Sequence, residues 1–236
     1  MIDFHSHFLP NMDDGSKSIE ESLQMLKLSY NMGIDTIVST SHYIAGFESI
    51  EDFINRRNER LESLTQEHES SGGIPGIVAG AEVAFYSGMG GDDKLSRLCV
   101  GNTKYLLVEM PYYRWSSLTG REILSLMLSQ GITPVIAHIE RYFVYRQNEK
   151  MIRELLDLGA VAQINAESLI GNMQREKMLK LIRERKTVLL GSDCHNMDGR
   201  RPNLDRAFKV IKKRAGGACL DIIERFGREI LEQRDD

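Results

Sequence analysis

Short apolar runs that each end in a histidine or a carboxylate recur along this 236-residue chain, and that repetition constrains the fold most. The first run delivers His5 and His7, two residues apart. Residues 34–39 lead to His42, 77–81 to Glu82 and 105–108 to Glu109. Residues 133–137 lead to His138, and 187–192 to Asp193 and His195. In a strand, residues i and i+2 point to the same face, so His5 and His7 can address one point. Longer amphipathic stretches separate the runs. Residues 18–32 place Ile19, Leu23, Leu26 and Tyr30 on one stripe and stop at Gly33, which predicts a helix. Further helices are predicted over 50–69, 117–130, 149–158, 169–185 and 204–215, with a Gly/Pro turn at 70–76. Strands are predicted at 2–5, 34–40, 77–84, 105–110, 133–138, 161–165 and 187–192.

About seven strands alternating with helices predict an α/β fold, a parallel sheet covered by helices. No composition break divides the chain, so one domain over residues 1–236 is expected. A (β/α) barrel gathers all strand C-termini at one mouth, where catalytic groups collect. An open doubly wound sheet is the alternative. It would spread these residues along an edge, and the chain lacks the Gly-rich phosphate loop that goes with it.

Composition removes several classes of function. A hydrophobic fraction of 42% supplies a core and argues against disorder. The net charge is −4 and the longest basic block is Lys212-Lys213-Arg214, so no nucleic-acid surface is expected. No run of about 18 apolar residues exists, so no membrane insertion is expected. Asp3, His5 and His7 interrupt the opening apolar stretch, unlike a secretory signal. Three scattered cysteines, Cys99, Cys194 and Cys219, fit a reducing cytoplasm, the expected location.

The strand-end groups form a candidate metal site: His5, His7, His42, Glu82, Glu109, His138, Asp193 and His195. Asp13 and Asp14, in Pro-Asn-Met-Asp-Asp-Gly, lie close enough to the first strand to fold back. Any one histidine is as readily a surface or hydrogen-bonded core residue, and His68, in a charged helix end, is read that way. Five of six histidines at strand ends is harder to assign to chance. These donors exceed the needs of one ion, and carboxylates bridge ions. Mixed imidazole and carboxylate donors suit Zn, Mn or Fe better than Ca or a thiolate site. Arg141 and Arg200 follow ligand candidates closely, and a guanidinium fork matches phosphate oxygens. Phosphoryl transfer needs mainly positioning and charge stabilisation, which metals and arginines provide. Cys194 and Arg200 also reproduce the C-x5-R spacing of thiolate phosphatases. That segment supplies a ligand candidate, His195, and only one glycine, so the thiolate reading is disfavoured.

The segments IDFHSHFLPNMDDG, STSHY, GAEV, LLVEMPYY, IAHIERY and GSDCHN, in this order, resemble the PHP (polymerase and histidinol phosphatase) superfamily. Within it they most resemble the bacterial metal-dependent protein-tyrosine phosphatases of capsule and exopolysaccharide loci. The match runs from residue 2 to about residue 204. The resemblance implies a distorted (β/α)7 barrel with its metal site at the C-terminal ends of the strands. It implies three divalent ions, Mn first, with Fe, Zn or Mg as alternatives. His5, His7, Glu82 and Asp193 would hold one ion; Glu82, Glu109 and His138 a second; His42, His195 and Asp13 or Asp14 the third. Arg141 and Arg200 would bind phosphate, and Asp3 would orient a histidine through its other ring nitrogen. Ile139 and Ser41 stand where the family often has proline, which alters backbone stiffness and leaves the ligands in place. The implied activity is hydrolysis of phosphotyrosine on protein, the expected partner being the tyrosine-rich tail of a polysaccharide-assembly kinase. A small-molecule phosphoesterase of the histidinol-phosphate type is the alternative. A non-catalytic metal-stabilised module is a third reading, but it needs fewer ligands.

Overall fold

The structure, a computed structural model, describes residues 1–68, 73–171, 173–184 and 187–233. Its elements run β1 (Ile2–Ser6), α1 (Ile19–Asn31), β2 (Thr36–Ser39), β3 (His42–Tyr43), α2 (Ile50–His68), β4 (Gly76–Ala79) and β5 (Glu82–Ala84). They continue with β6 (Tyr105–Glu109), α3 (Ser117–Ser129), β7 (Thr133–Ile136), α4 (Arg146–Asp157), β8 (Val161–Asn165), α5 (Ala166–Ile170), α6 (Arg175–Glu184), β9 (Val188–Gly191), α7 (Leu204–Arg214) and α8 (Gly217–Glu232). The described strand pairs are all parallel, in one sheet β1-β2-β4 and a second β3-β5-β6-β7-β8-β9. Of the expected barrel, the structure carries the α/β class and the parallel strands. The strands form two sheets and not one continuous one. The ends of β1 and β9 meet where Asp193 N donates to His5 O and His7 N donates to Cys194 O, both at 2.8 Å.

One expected strand splits and another ends early. The run over 77–84 divides into β4 and β5, and the run over 34–40 ends as β2 at Ser39, with the two-residue strand β3 beyond it at His42. Hydroxyl groups intrude on the ladder here. Ser6 N donates to Thr40 Oγ1 at 2.9 Å, Ser6 Oγ donates to Val38 O at 2.6 Å, and the β1–β2 register shifts between Asp3 and Ser6. On the neighbouring strand Arg57 donates to Gly80 O at 3.0 Å. The split carries β3 and β5 into the second sheet, where His42 pairs directly with Glu82.

Other departures lie in the helices. The run expected over 169–185 divides into α5 and α6, because Arg175 Nε reaches back to Leu169 O at 2.7 Å and closes α5. Positions 172 and 185, the 69–72 portion of the expected helix end and turn, and residues 186 and 234–236 lie outside the described residues. Helix α8 was not expected, although Ile223, Gly227 and Ile230 are its buried positions at helical spacing.

One core cluster positions the site. It joins Ile2 and Phe4 of β1, Val38 of β2, Tyr105 and Leu107 of β6, Val135 of β7, Val161 of β8, Leu189 of β9 and Ile230 of α8. Two residues farther along the same strand faces stand Glu109, Gln163 and Gly191. These strands thus begin on an apolar floor, and several finish in polar groups at the opposite end.

Candidate metal centre

Glu82 lies at the middle of the site and is 1% exposed. Its Oε2 is 3.1 Å from His5 Nε2, 3.3 Å from His7 Nε2 and 3.2 Å from His42 Nδ1. Its Oε1 is 2.9 Å from His138 Nε2. Glu109 Oε1 lies 3.4 Å from the same His138 nitrogen. Asp193 Oδ1 lies 3.5 Å from His5 Nε2, 3.6 Å from His7 Nε2 and 3.6 Å from His195 Nδ1. Asp14 Oδ1 lies 3.3 Å from His195 Nε2 and 3.6 Å from His42 Nε2. Three groups bring donor atoms within 4.8 Å of one another: His7, Asp14, His42 and His195; His5, His7 and Asp193; His42, Glu82 and Glu109.

The far sides of the imidazoles are already committed. His5 Nδ1 is 2.9 Å from Gln163 Oε1, His7 Nδ1 is 2.8 Å from Asp13 Oδ2, and His195 Nδ1 is 3.0 Å from the Asp193 carbonyl. Each of these oxygens is an acceptor, so each Nδ1 is the donor, and each Nε2 faces inward, able to offer a lone pair once an ion displaces any proton on it. His5 Nε2 and His7 Nε2 then face one another at 3.1 Å, and His195 Nε2 is buried with no hydrogen bond. Lone pairs that converge on one point, backed by acceptors behind each ring, fit a cation between them. Mixed imidazole and carboxylate donors suit a borderline or hard divalent ion.

Without an ion, protons must offset the carboxylates. Burial opposes a charged His7, but hydrogen bonds to Asp13 and Glu82 outweigh it and raise its pKa to about 10. Burial opposes a charged His138 as well, and Glu109 and Glu82 raise it to about 9. Burial would raise Glu82 and Asp193. The His5 charge, with His138 and His7 at Glu82 and with His7 and Arg200 at Asp193, holds both well below the usual carboxylate range. His195 moves the other way, to about 4, through burial and the His7 charge beside it.

Asp13 and Asp14 differ in what they touch. Asp13 Oδ2 takes His7 Nδ1–H and the His42 amide (2.9 Å), and its Oδ1 takes the Gly15 amide (2.9 Å). It stands behind His7, while Asp14 brings its oxygen to the inward nitrogens. Gly15 permits this turn, because a Cβ there would lie 2.1 Å from His7 O. Asp3 does not orient a histidine ring. Its Oδ1 accepts the Ser192 amide at 2.9 Å and the His5 amide at 3.2 Å, and Gln163 takes the His5 ring instead.

Two expected ligands have left-handed backbone: His138 (φ 30°) and Asp193 (φ 52°), directly after β7 and β9. Such conformations cost energy in residues with a Cβ and cluster at functional sites. They turn the side chains back over the strand ends. Both arginines bind the resulting Asp193 carboxylate. Arg141 Nη2 is 2.7 Å from Oδ2, and Arg200 Nη2 is 2.8 Å from Oδ1. Asn165 Nδ2 also donates to Oδ2 at 2.8 Å. Arg141, Arg200, Asn165, Ser192 and Asp193 line a hollow of about 150 Å³.

Cys194 is 1% exposed, and burial together with nearby Asp3 pushes its thiol well above the usual range. It supplies no thiolate. Gln163, Asn165, Tyr112 and Tyr142 escaped the sequence reading. The two amides carried a signal: polar residues at i and i+2 in an otherwise apolar strand share a face. Tyr142 Oη lies 3.2 Å from His138 Nδ1, one helical turn away.

Residues 1–231 match the family described as capsular polysaccharide synthesis, CpsB/CapC. The tyrosine-protein phosphatase CpsB of Streptococcus pneumoniae is 37% identical over 231 residues, covering 92% of this chain and 91% of that protein. A solved structure of the metal-dependent tyrosine phosphatases YwqE from Bacillus subtilis and CpsB from Streptococcus pneumoniae superposes with a TM-score of 0.86 at 28% identity, covering 100% of this chain and 96% of the other. Histidinol phosphate phosphatase from Lactococcus lactis shares the fold, with a TM-score of 0.56 at 16% identity over 90% of this chain and 92% of that one. The chain belongs to the capsular polysaccharide synthesis CpsB/CapC family.

Proposed function

We propose that this protein is a metal-dependent protein-tyrosine phosphatase. The observation that carries the reading is the meeting of inward-facing imidazoles and carboxylates with two guanidinium groups on Asp193. The relatives named above, and the fit of the donor set to divalent ions, support it. His5, His7, Glu82 and Asp193, then Glu82, Glu109 and His138, then His42, His195 and Asp14 would hold three ions, Mn being the ion we propose. Ions bound there would supply Lewis acidity toward water and phosphoryl oxygens and neutralise charge as it develops. Arg141 and Arg200 each spend one terminal nitrogen on Asp193 and turn remaining N–H groups toward phosphate. We read the two sheets as halves of one distorted seven-stranded barrel, with β2 and β3, and β4 and β5, each counting as one interrupted strand.

The substrate we propose is phosphotyrosine on a protein tail, that of a polysaccharide-assembly kinase. Exposed Ile44 and Phe47 line a hollow with Asp13, Asp14 and His42, and exposed Tyr112 touches Glu109 and Arg141, an open edge that suits a flexible segment laid across it better than an enclosed small molecule. Chelation should abolish turnover of a phosphotyrosine peptide and Mn should restore it, with histidinol phosphate cleaved far more slowly. Full activity after exhaustive metal removal would sink the proposal, and a preference for histidinol phosphate would overturn its substrate half.

A further inference from the structure

Tyr112 follows β6 in Glu109-Met-Pro-Tyr, and the residue is 54% exposed. An exposed tyrosine ordinarily presents its hydroxyl to water. This one holds its hydroxyl between two charged groups of the site. Tyr112 Oη donates to Glu109 Oε1 in a short hydrogen bond and accepts from Arg141 Nη1 at 2.9 Å. Its ring lies over the His138 imidazole at 6.0 Å, tilted by 20°. Arg141 Nη2 is anchored separately on Asp193 Oδ2 at 2.7 Å.

A single bond at Nη2 leaves a guanidinium able to pivot. A second bond at Nη1 fixes its plane and decides which N–H groups remain for a ligand. The phenol has one proton, so giving it to Glu109 leaves only lone pairs for Arg141. Donation therefore runs outward from the guanidinium: Arg141 donates to Asp193 on one side and to Tyr112 on the other, and Tyr112 donates on to Glu109. The phenol also stands between a cation and a carboxylate that would otherwise pair directly and draw Arg141 from the hollow beside Asp193.

We propose that Tyr112 is a positioning residue that aims Arg141 at the phosphate group of the substrate. The inference rests on the phosphatase reading for its substrate, but it is tested through phosphate binding alone. Tyr112→Phe keeps the ring on His138 and removes only the hydroxyl. The experiment measures orthophosphate binding by calorimetry for Mn-loaded parent, Tyr112→Phe, Arg141→Ala and the double variant, with Mn content and thermal midpoint for each.

Tyr112→Phe should retain Mn and weaken phosphate binding by roughly threefold to tenfold, the size of one modest hydrogen bond. In the Arg141→Ala background the same change should have no further effect, because the residue it positions is gone. With phosphotyrosine peptide, Tyr112→Phe should raise KM more than it lowers kcat. Equal losses in both backgrounds would overturn the proposal, as would unchanged phosphate affinity, loss of Mn on Tyr112→Phe, or a parent protein that does not bind orthophosphate. Absent peptide turnover by a parent that binds phosphate would instead count against the phosphatase reading, and the binding cycle would still decide Tyr112.

Discussion

Asp13 and Asp14 are neighbours with different contacts, and substitution should separate them. Asp14 turns an oxygen toward His195 and His42, and its side chain is 63% exposed. Asp14→Asn should therefore leave the fold intact, lower Mn stoichiometry and reduce turnover by orders of magnitude. Asp13 acts through His7. Asp13→Asn should reduce metal affinity or activity by about 10- to 100-fold, the usual cost of removing the partner behind a liganding histidine. Metal titration with activity at each stage checks both; equal behaviour would place the two aspartates in one role. The arginines should show the opposite pattern. Arg141→Ala and Arg200→Ala should keep full metal content and lose about tenfold to a hundredfold in kcat/KM, the value of one charge-assisted bond of roughly 1.5–3 kcal/mol. Lysine should rescue only in part because it lacks the planar fork. Wild-type kinetics and wild-type phosphate inhibition in both variants would locate the phosphate elsewhere.

Among the elements, β9 and α8 show how the scaffold holds the site from opposite ends. Gly191 ends β9 with the β1 side chains against it. A Cβ there would lie 2.4 Å from His5 Cβ and 2.6 Å from Gln163 Nε2. Gly191→Ala should cost about 1–3 kcal/mol through overpacking and should also displace His5, so metal affinity falls with stability. Helix α8 packs on the apolar floor through Ile230, which is fully buried beside Ile2 and Phe4 in the same core cluster. Ile230→Ala should cost about 2–5 kcal/mol of stability by leaving a cavity, while kcat of the folded protein stays near the parent value. Denaturant unfolding with kinetics on the same samples tests both. A silent Gly191→Ala would mean that β1 yields without cost, and an inactive but stable Ile230→Ala would tie α8 to the chemistry.

Across the whole molecule, the ionised site links metal, proton and stability. In the metal-free protein, His7 at about 10 and His138 at about 9 both stand above the ordinary 6.5. A raised folded-state pKa means the native state binds the proton more tightly. The stabilisation is complete below about pH 6.5 and is lost as pH rises toward 9 to 10. The thermal midpoint of the metal-free protein should therefore fall across that interval. Ions compete with those protons for the same imidazoles, so loading with Mn should flatten the dependence and release protons on binding. Differential scanning calorimetry from pH 6 to pH 10, with and without Mn, is the measurement. A metal-free midpoint that rises with pH would show that His7 and His138 are not held protonated.

Much of this was legible in the chain because its signals are local. Alternation of short and long apolar periods specifies strands and helices, and a histidine or carboxylate after an apolar run falls at a strand end whatever the strand pairs with. Hence His5, His42, Glu82, Glu109, His138, Asp193 and His195 could be named as a set, and the structure brings their donor atoms near one another, His138 through Glu82 and Glu109. Four things depended on contacts between distant segments. The division of roles between Asp13 and Asp14 follows from which side of His7 the turn at Gly15 passes. The end of β2 follows from the Thr40 hydroxyl accepting the Ser6 amide, and the Ser6 hydroxyl reaching Val38 O, across β1 and β2. The orientation of His5 belongs to Gln163, 158 residues away, and not to Asp3 beside it. The two-point hold on Arg141 needs Tyr112 and Asp193 to arrive from β6 and β9. Periodicity reports which face a residue takes. Which lone pair of a ring or carboxylate is already occupied depends on its tertiary neighbours, and that occupancy separates a group facing the ion from one standing behind it.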